Sequence, residues 1–500
     1  MRFFTPNLAH TSNSEGHDTA TRTRATFENT KDSIKTVWAS IYQLDALLFA
    51  CAILIVSLPQ LILTPPFQVP DAFAHYLKAQ ALAEGHLLPS TLRHAAGNTM
   101  PSSLTAFANL FSALPFHPAA HITSHSIERA SSLSLASPPI FTAYTATSFD
   151  PPFLYLPTAV GLLAGSLLRL TLLQSYYLAE ATMLVTAILL LTFAFSITPR
   201  TGRPFMAAVA LLPMAASLYP SVSRDALILP LAILAVAARV RWADAILERR
   251  LGKPEYWVTA LALIPIAMTK PPYWPLIPLL YIPYERLGKR PSHLLRPLLA
   301  PSIASLAIIV SWYLAVYRRL ALTFINTANI SVSRQIVWLL SHPLAGLRVI
   351  SQTITFAKDF YYESAIGILG WLDTPLPHWV YPLLGILLLL CATPLLASLS
   401  SASRTWSPLL IATLTGQLIF LGVEFALYAT WTPVGAPVVQ GVQGRYLLPI
   451  LPLLGLLASN GEFHRRLQVP LRRIAISAVA LEVAISLAVV PATLLSRFWA

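Results

Sequence analysis

Apolar runs of roughly 18 or more residues recur from about residue 44 to the C-terminus, separated by short loops that hold most of the charge. Such a run is long enough to cross a bilayer core of ~30 Å as a helix. The first covers 44–64. Further apolar runs, several of them shorter, lie near 152–170, 176–197, 204–220, 226–240, 256–269, 273–284, 297–316, 376–398, 406–428, 445–459 and 473–495. The pattern predicts an all-α fold, a polytopic transmembrane helical bundle of about 11 spans plus membrane-resting helices. A polar tail, 1–43, is rich in Ser, Thr and Asn. The transmembrane domain, 44–500, is interrupted by polar regions at 65–150 and 317–375. In the first region, Asp71 to Glu84 has helical spacing; in the second, Arg334 to Phe360 is amphipathic and suits the membrane interface.

The basic residues orient these spans. Arg200 and Arg203 separate two runs, and Arg239, Arg241, Arg249, Arg250 and Lys253 fill a second loop. Arg286, Lys289, Arg290 and Arg296 fill a third, and Arg465, Arg466, Arg472 and Arg473 a fourth. If spans alternate from 176 onward, all four loops share one side, which the positive-inside rule makes cytoplasmic. The tail, with Arg22, Arg24, Lys31 and Lys35, is expected there too. Regions 65–150 and 317–375 are then external, and only one of the runs 152–170 and 176–197 crosses. The first is interrupted by Pro157, Gly161 and Gly165 and is expected to re-enter or rest on the membrane.

Composition agrees: 55% of the 500 residues are hydrophobic and 11% charged, against about 25% charged in soluble domains. The net charge of +13 does not indicate a nucleic-acid partner, because the cations sit in inter-helix loops without a basic, aromatic-interleaved stripe. Cys51 and Cys391 both fall inside apolar runs, which indicates neither a disulfide framework nor a metal site.

Against this background several ionisable residues stand out on the expected external side. Asp71 and His75 share one helix face; Asp225 opens a span; Lys270 precedes Pro271-Pro272-Tyr273. Asp373 ends the second external region, Glu424 sits inside an apolar run, and Gln443 and Arg445 lie in Gln443-Gly444-Arg445-Tyr446. Ionisable groups in or beside hydrocarbon are costly and are retained for function or pairing. Carboxylates such as Asp71 and Asp225 bind a divalent metal or accept a hydroxyl proton. Lys270 and Arg445 suit a phosphate or pyrophosphate. Each has a plainer reading: Asp71 and Asp225 as helix caps, the latter paired with Arg224; His75 as a packed interfacial residue; Lys270 snorkelling to headgroups; Glu424 paired with an arginine. Their shared side is the stronger signal.

An ordered series of short motifs then resembles a known group. It runs from Phe67-Gln68-Val69-Pro70-Asp71 to His75, through Asp150-Pro151-Pro152-Phe153, Leu212-Pro213-Met214 and Ser221-Val222-Ser223-Arg224-Asp225. It continues with Lys270-Pro271-Pro272-Tyr273, His342-Pro343, Gly367 to Asp373 and Gln443-Gly444-Arg445-Tyr446. Over roughly 45–460 the chain resembles a bacterial family of polytopic membrane proteins of unknown function, grouped with the GT-C glycosyltransferase superfamily. The resemblance implies a GT-C-like fold in the bacterial inner membrane, with one acidic residue in the first external loop and another in a later external turn, here Asp71 and Asp225. It implies transfer of a sugar from a polyprenyl-phosphate carrier to an envelope glycan or lipid, often with a divalent cation (Mg or Mn). In that scheme Asp71 is the base or a metal ligand, with His75 supporting it, and Asp225 orients the acceptor or the metal. Lys270, Arg445, Tyr273, Gln443, Asp373 and Glu424 bind substrate, the two cations facing the leaving phosphate. The family commonly has Asp-Glu where this chain has Asp71-Ala72, which counts against metal dependence. Two other functions stay open: a transporter or flippase for a lipid-linked sugar, and a non-catalytic partner in envelope assembly.

Overall fold

Proline breaks some of the apolar runs and is accommodated inside the helices of others. The computed structural model describes residues 44–93, 95–247, 253–280, 303, 306–316, 329–397, 407–458 and 465–499. The tail 1–43, the basic segment 281–302 and residues 317–328 lie outside the described residues. Two compact units are distinguished, Met1–Leu48 and Phe49–Ala500; apart from residues 44–48, the features below lie in the second.

After α1 (Leu44–Leu63) and α2 (Ala72–Ala83), the polar region folds as β1 (Ser90–Leu92), β2 (Ala95–Pro101), α3 (Ser103–Asn109), α4 (Ser124–Ser132) and β3 (Pro139–Ala143). A 3₁₀ turn, Pro152–Tyr155, leads into α5 (Leu156–Leu167), then α6 (Leu172–Ile197), α7 (Arg203–Leu211), α8 (Pro213–Leu218), α9 (Asp225–Leu247) and α10 (Lys253–Thr269). A 3₁₀ helix, Pro271–Leu280, precedes α11 (Leu306–Val316), α12 (Val332–Ser341) and α13 (Pro343–Ile366). The hairpin β4 (Ile368–Leu369) and β5 (Thr374–Pro375) is followed by α14 (Val380–Ala397) and α15 (Ser407–Thr430). Two 3₁₀ segments, Gly444–Tyr446 and Leu448–Leu457, precede α16 (Arg465–Phe498).

The molecule is mostly helical, and among the described residues six helices are long and apolar enough to cross a membrane: α1, α6, α9, α14, α15 and α16. Run length alone suggested about eleven. Several of the other runs carry prolines, which remove a backbone donor and crowd the preceding turn. The run 204–220 breaks at Leu212-Pro213 into α7 and α8. The runs 273–284 and 445–459 fold, as far as they are described, as 3₁₀ helix around Pro275 and Pro278, and around Pro449 and Pro452. The run 152–170 yields only the 12 residues of α5, about 18 Å at 1.5 Å per residue and short of the bilayer core. The α6 terminus closes on a cation: Arg203 donates to the carbonyls of Ser196 and Thr198 at 3.0 and 3.1 Å, satisfying orphan acceptors of the last turn.

The all-α expectation needs a correction. β1, β2 and β3 form an antiparallel sheet in that order, with Gly97 opposite Ala143, and β4 pairs with β5. These strands have no clear period-2 alternation, so pairing partners rather than propensity fix them. Asn98 anchors the sheet, its Oδ1 accepting from Ser90 N–H at 3.1 Å and from the Tyr144 hydroxyl at 3.3 Å.

α9 lies at the centre, almost wholly enclosed by α6, α10 and the 3₁₀ helix Leu448–Leu457. α14 packs on α16, and α5 on both α2 and α6. Large apolar side chains on outer helices face outwards, as a lipid-facing surface requires. The amphipathic stretch is two helices, α12 and α13, broken at His342-Pro343, with Leu340, Leu344 and Phe356 fully outward.

Candidate functional site

The loop between α1 and α2 is held under strain. Phe67 and Asp71 both adopt left-handed backbone, at φ 65° and 61°, and for a bulky residue this persists only where the surroundings enforce it. The Phe67 ring is met edge-on by Phe73, Tyr76, Phe107 and Tyr176. Its N–H donates to the Tyr176 hydroxyl at 3.1 Å, and its carbonyl accepts from Trp371 Nε1 at 2.7 Å. Asp71 emerges from this clamp exposed and makes no side-chain capping bond to α2. Its carboxylate is therefore not spent on the helix.

Asp225, the first residue of α9, is the hub of a buried ion cluster. Its Oδ1 accepts from Lys270 Nζ at 2.5 Å, and its Oδ2 lies 3.8 Å from Arg445 Nη1. Lys270 reaches it from the end of α10, where its own N–H bonds the Ile266 carbonyl. Arg445 is placed by the 3₁₀ turn Gly444–Tyr446 on α13. Gly444 donates to Ser364 Oγ at 2.8 Å, and a Cβ there would strike the backbone of Tyr361 and Ala365. Arg445 Nε donates to Gln443 Oε1 at 2.7 Å, and Tyr273 donates its hydroxyl to the Tyr446 carbonyl at 2.8 Å. The Tyr446 ring lies 4.4 Å from Lys270 Nζ and 5.3 Å from Arg445 Cζ, within cation–π range. Arg445 is 5% exposed, yet its Nη1 has no hydrogen-bond partner. Burial outweighs the attraction of Asp225 and lowers the Lys270 ammonium to about 8.

A second chain of contacts runs beside the hub. Arg224 pairs with Asp150 rather than with Asp225. Asp150 Oδ2 accepts from the Tyr155 hydroxyl at 2.6 Å, and that oxygen lies 2.6 Å from His75 Nδ1. His75, expected to support Asp71, is engaged by Tyr155 instead. Burial first, and then the Arg224 cation, hold His75 well below the ordinary imidazole value, so the ring is neutral at pH 7.

The two chains form one site. His75 lies within electrostatic reach of Arg224, Asp225, Arg445 and Lys270, and Asp71 within reach of Arg445 and Tyr155. Arg445 also lines a small cleft with Pro70, Gln60, Thr64, Gln68 and Ser217. Asp71, His75, Asp225, Lys270, Tyr273, Gln443 and Arg445 are thus brought together from across the chain. Two expected members lie apart. Asp373 pairs with Arg497 at 3.1 Å and accepts from the N–H groups of Phe116 and Trp371. Glu424 accepts from the Tyr361 hydroxyl at 3.0 Å, its other oxygen buried without a partner, and pairs with no arginine among the described residues. The donor set round Asp225 does not suit a divalent cation, because Lys270 and Arg445 already face its two oxygens.

Sequence reasoning placed Asp150, Tyr155 and Tyr446 within motifs but gave none of them a role in the site. The signal for Asp150 was present, since it sits at the junction of a polar region and an apolar run, as Asp71 and Asp225 do. It also passed over Glu180 and Glu482, which lie buried inside α6 and α16.

Neither a curated protein nor a solved structure matches the chain. A family model described as "Predicted membrane protein (DUF2142)" matches residues 51–454, a stretch that contains every member of the ion cluster and of the Asp150–His75 chain. With most of its length inside that match, the chain belongs to the DUF2142 family of membrane proteins.

Proposed function

We propose that the site binds a lipid-linked sugar phosphate and transfers the sugar to a hydroxyl of an envelope glycan or lipid, outside the cytoplasm of a bacterial cell. One observation carries this reading. Arg445 is buried, lines an open cleft, and keeps a guanidinium N–H without a partner beside Lys270. A buried cationic N–H without a hydrogen-bond partner, its nearest counter-charge shared with Lys270, is costly unless a ligand meets it, and a phosphate supplies the matching acceptor oxygens. The motif resemblance to GT-C glycosyltransferases, in which external acidic residues serve the acceptor, points the same way.

In this scheme Lys270 and Arg445 hold the phosphate, and Asp225 fixes both cations. An acceptor hydroxyl oxygen attacks the anomeric carbon from the face opposite the phosphate. The bond from that carbon to the phosphate oxygen breaks, its electron pair passing to the phosphate. The hydroxyl proton passes to the exposed Asp71 carboxylate. Stabilisation of the charge growing on the phosphate is the main catalytic contribution. No step needs a divalent cation.

The test is transfer from a polyprenyl-phosphate hexose in proteoliposomes. Asp71→Asn should abolish product while leaving the thermal unfolding midpoint unchanged; full transfer by that variant would remove Asp71 as base. A second reading, a transporter for a lipid-linked or small anionic substrate, is favoured by Glu180 and Glu482. Glu482 lies deep in α16 with neither carboxyl oxygen partnered, and intramembrane carboxyls serve proton relays. It predicts the opposite pattern: loss of flux in Glu482→Gln and none in Asp71→Asn.

A further inference from the structure

We infer that His75 presents Nε2 as a fixed hydrogen-bond acceptor that reads a hydroxyl of the bound ligand, its tautomer set by Tyr155 and Asp150. The inference rests on the sugar-phosphate reading of the site and assigns the sugar end of the ligand, as Arg445 and Lys270 assign the phosphate end.

The hydrogen count forces the tautomer. Tyr155 has one hydroxyl proton, and Asp150, ion-paired with Arg224, can only accept. The 2.6 Å contact between Tyr155 and Asp150 Oδ2 therefore takes that proton. The equally short contact between the Tyr155 oxygen and His75 Nδ1 is then a bond that the imidazole donates. With Nδ1 protonated and the buried ring neutral, Nε2 carries the lone pair. No described residue bonds Nε2. Nε2 is an open acceptor that, unlike the enclosed Nη1 of Arg445, keeps contact with solvent, and the two differ in sign: one asks for a donor, the other for an anion. An inorganic phosphate answers only the second. A sugar phosphate, with hydroxyls a few bonds from its charge, answers both.

The charged groups facing His75 favour this role over that of a base. Arg224, Arg445 and Lys270 oppose a proton on the ring, and Asp225, which favours one, is already shared by two of those cations. His75 thus stays an acceptor at acidity that would convert an ordinary histidine into a double donor. Tyr155 and Asp150 are positioning residues that act through it.

The experiment is nitrogen NMR of the full chain in detergent micelles with ¹⁵N-labelled histidine, the His75 signals being those lost in His75→Gln. The expected result is protonated Nδ1 and unprotonated Nε2, persisting below the pH at which an exposed histidine titrates. Finding the proton on Nε2 would overturn the inference. Tyr155→Phe should release the preference and give a tautomer mixture; an unchanged spectrum would dismiss the positioning role. Hexose 1-phosphate should move the Nε2 resonance, whereas inorganic phosphate, bound at Arg445, should not. An Nε2 signal indifferent to saturating hexose 1-phosphate would sink the hydroxyl assignment. Tyr155→Phe should also weaken hexose 1-phosphate about tenfold, the scale of one buried hydrogen bond, and leave phosphate affinity within about twofold. Loss of phosphate binding in Arg445→Gln tests the anion reading separately, so failure of one arm is distinguishable from failure of the other.

Discussion

Single side chains at this site carry opposite demands, and the balance is measurable. Lys270 is charged near neutrality despite burial because Asp225 lies 2.5 Å away. Its ammonium nevertheless loses its proton at about 8 in the folded protein, below an ordinary lysine near 10.4. Between those two values the unfolded chain holds more protons than the folded one, so this group makes stability rise with pH there. Ligand affinity moves the other way, because the cation facing the phosphate disappears over the same climb. Phosphate affinity measured calorimetrically should therefore fall as pH passes about 8, and a Lys270→Arg variant should not show that fall. Asp225→Asn leaves two buried cations without their counter-charge and should cost about 3–5 kcal/mol of stability, read from denaturant unfolding in detergent. The sequence marked Asp225, Lys270 and Arg445 because each is an ion beside an apolar run. It did not reveal that Arg224 and Asp225, adjacent in the chain, serve different partners, since neighbouring residues at a helix start point in different directions.

At the level of elements, the turn Gly444–Tyr446 carries Arg445 to the ligand, and the β4–β5 hairpin borders the cleft through Leu369, Gly370 and Leu372. Gly444→Ala puts a methyl group into the backbone of α13. It should cost about 1–3 kcal/mol and displace Arg445, so that phosphate affinity drops together with thermal stability. The hairpin is tied to the end of α16: Arg497 donates to the carbonyls of Leu114 and Ala120 and pairs with Asp373. Arg497→Ala should lower stability by roughly 3 kcal/mol while transfer activity of the remaining folded protein persists, which would separate Asp373 from substrate binding. Apolar periodicity made the long helices legible, α1, α6, α14, α15 and α16 starting within about four residues of their runs except where α16 extends upstream. The sheet β1–β3 was illegible, because its strands are specified by partners up to about fifty residues away and not by their own alternation.

For the whole molecule, the parity argument required α5 not to cross, and its 12 residues are short for a crossing. Labelling tests it: Leu168→Cys, exposed between α5 and α6, should react in intact cells with a membrane-impermeant maleimide in a background lacking Cys51 and Cys391. Reaction only after permeabilisation would mean that α5 crosses. Long-range convergence was the least legible property. Asp71, Asp150, Asp225, Lys270 and Arg445 span most of the chain, and only the enclosed position of α9 between α6, α10 and the Leu448–Leu457 helix shows how they meet. The Phe67 clamp has a consequence at this scale. Tyr176 belongs to α6 and Trp371 to the hairpin, and each holds one of the two peptide groups that flank the Phe67 Cα. The entropy of fixing Asp71 is thus lost once, during folding, and not again at each turnover. Any slippage between α6 and the hairpin would reach the carboxylate through two hydrogen bonds, making that single residue the joint at which distant rearrangement becomes catalytic misalignment.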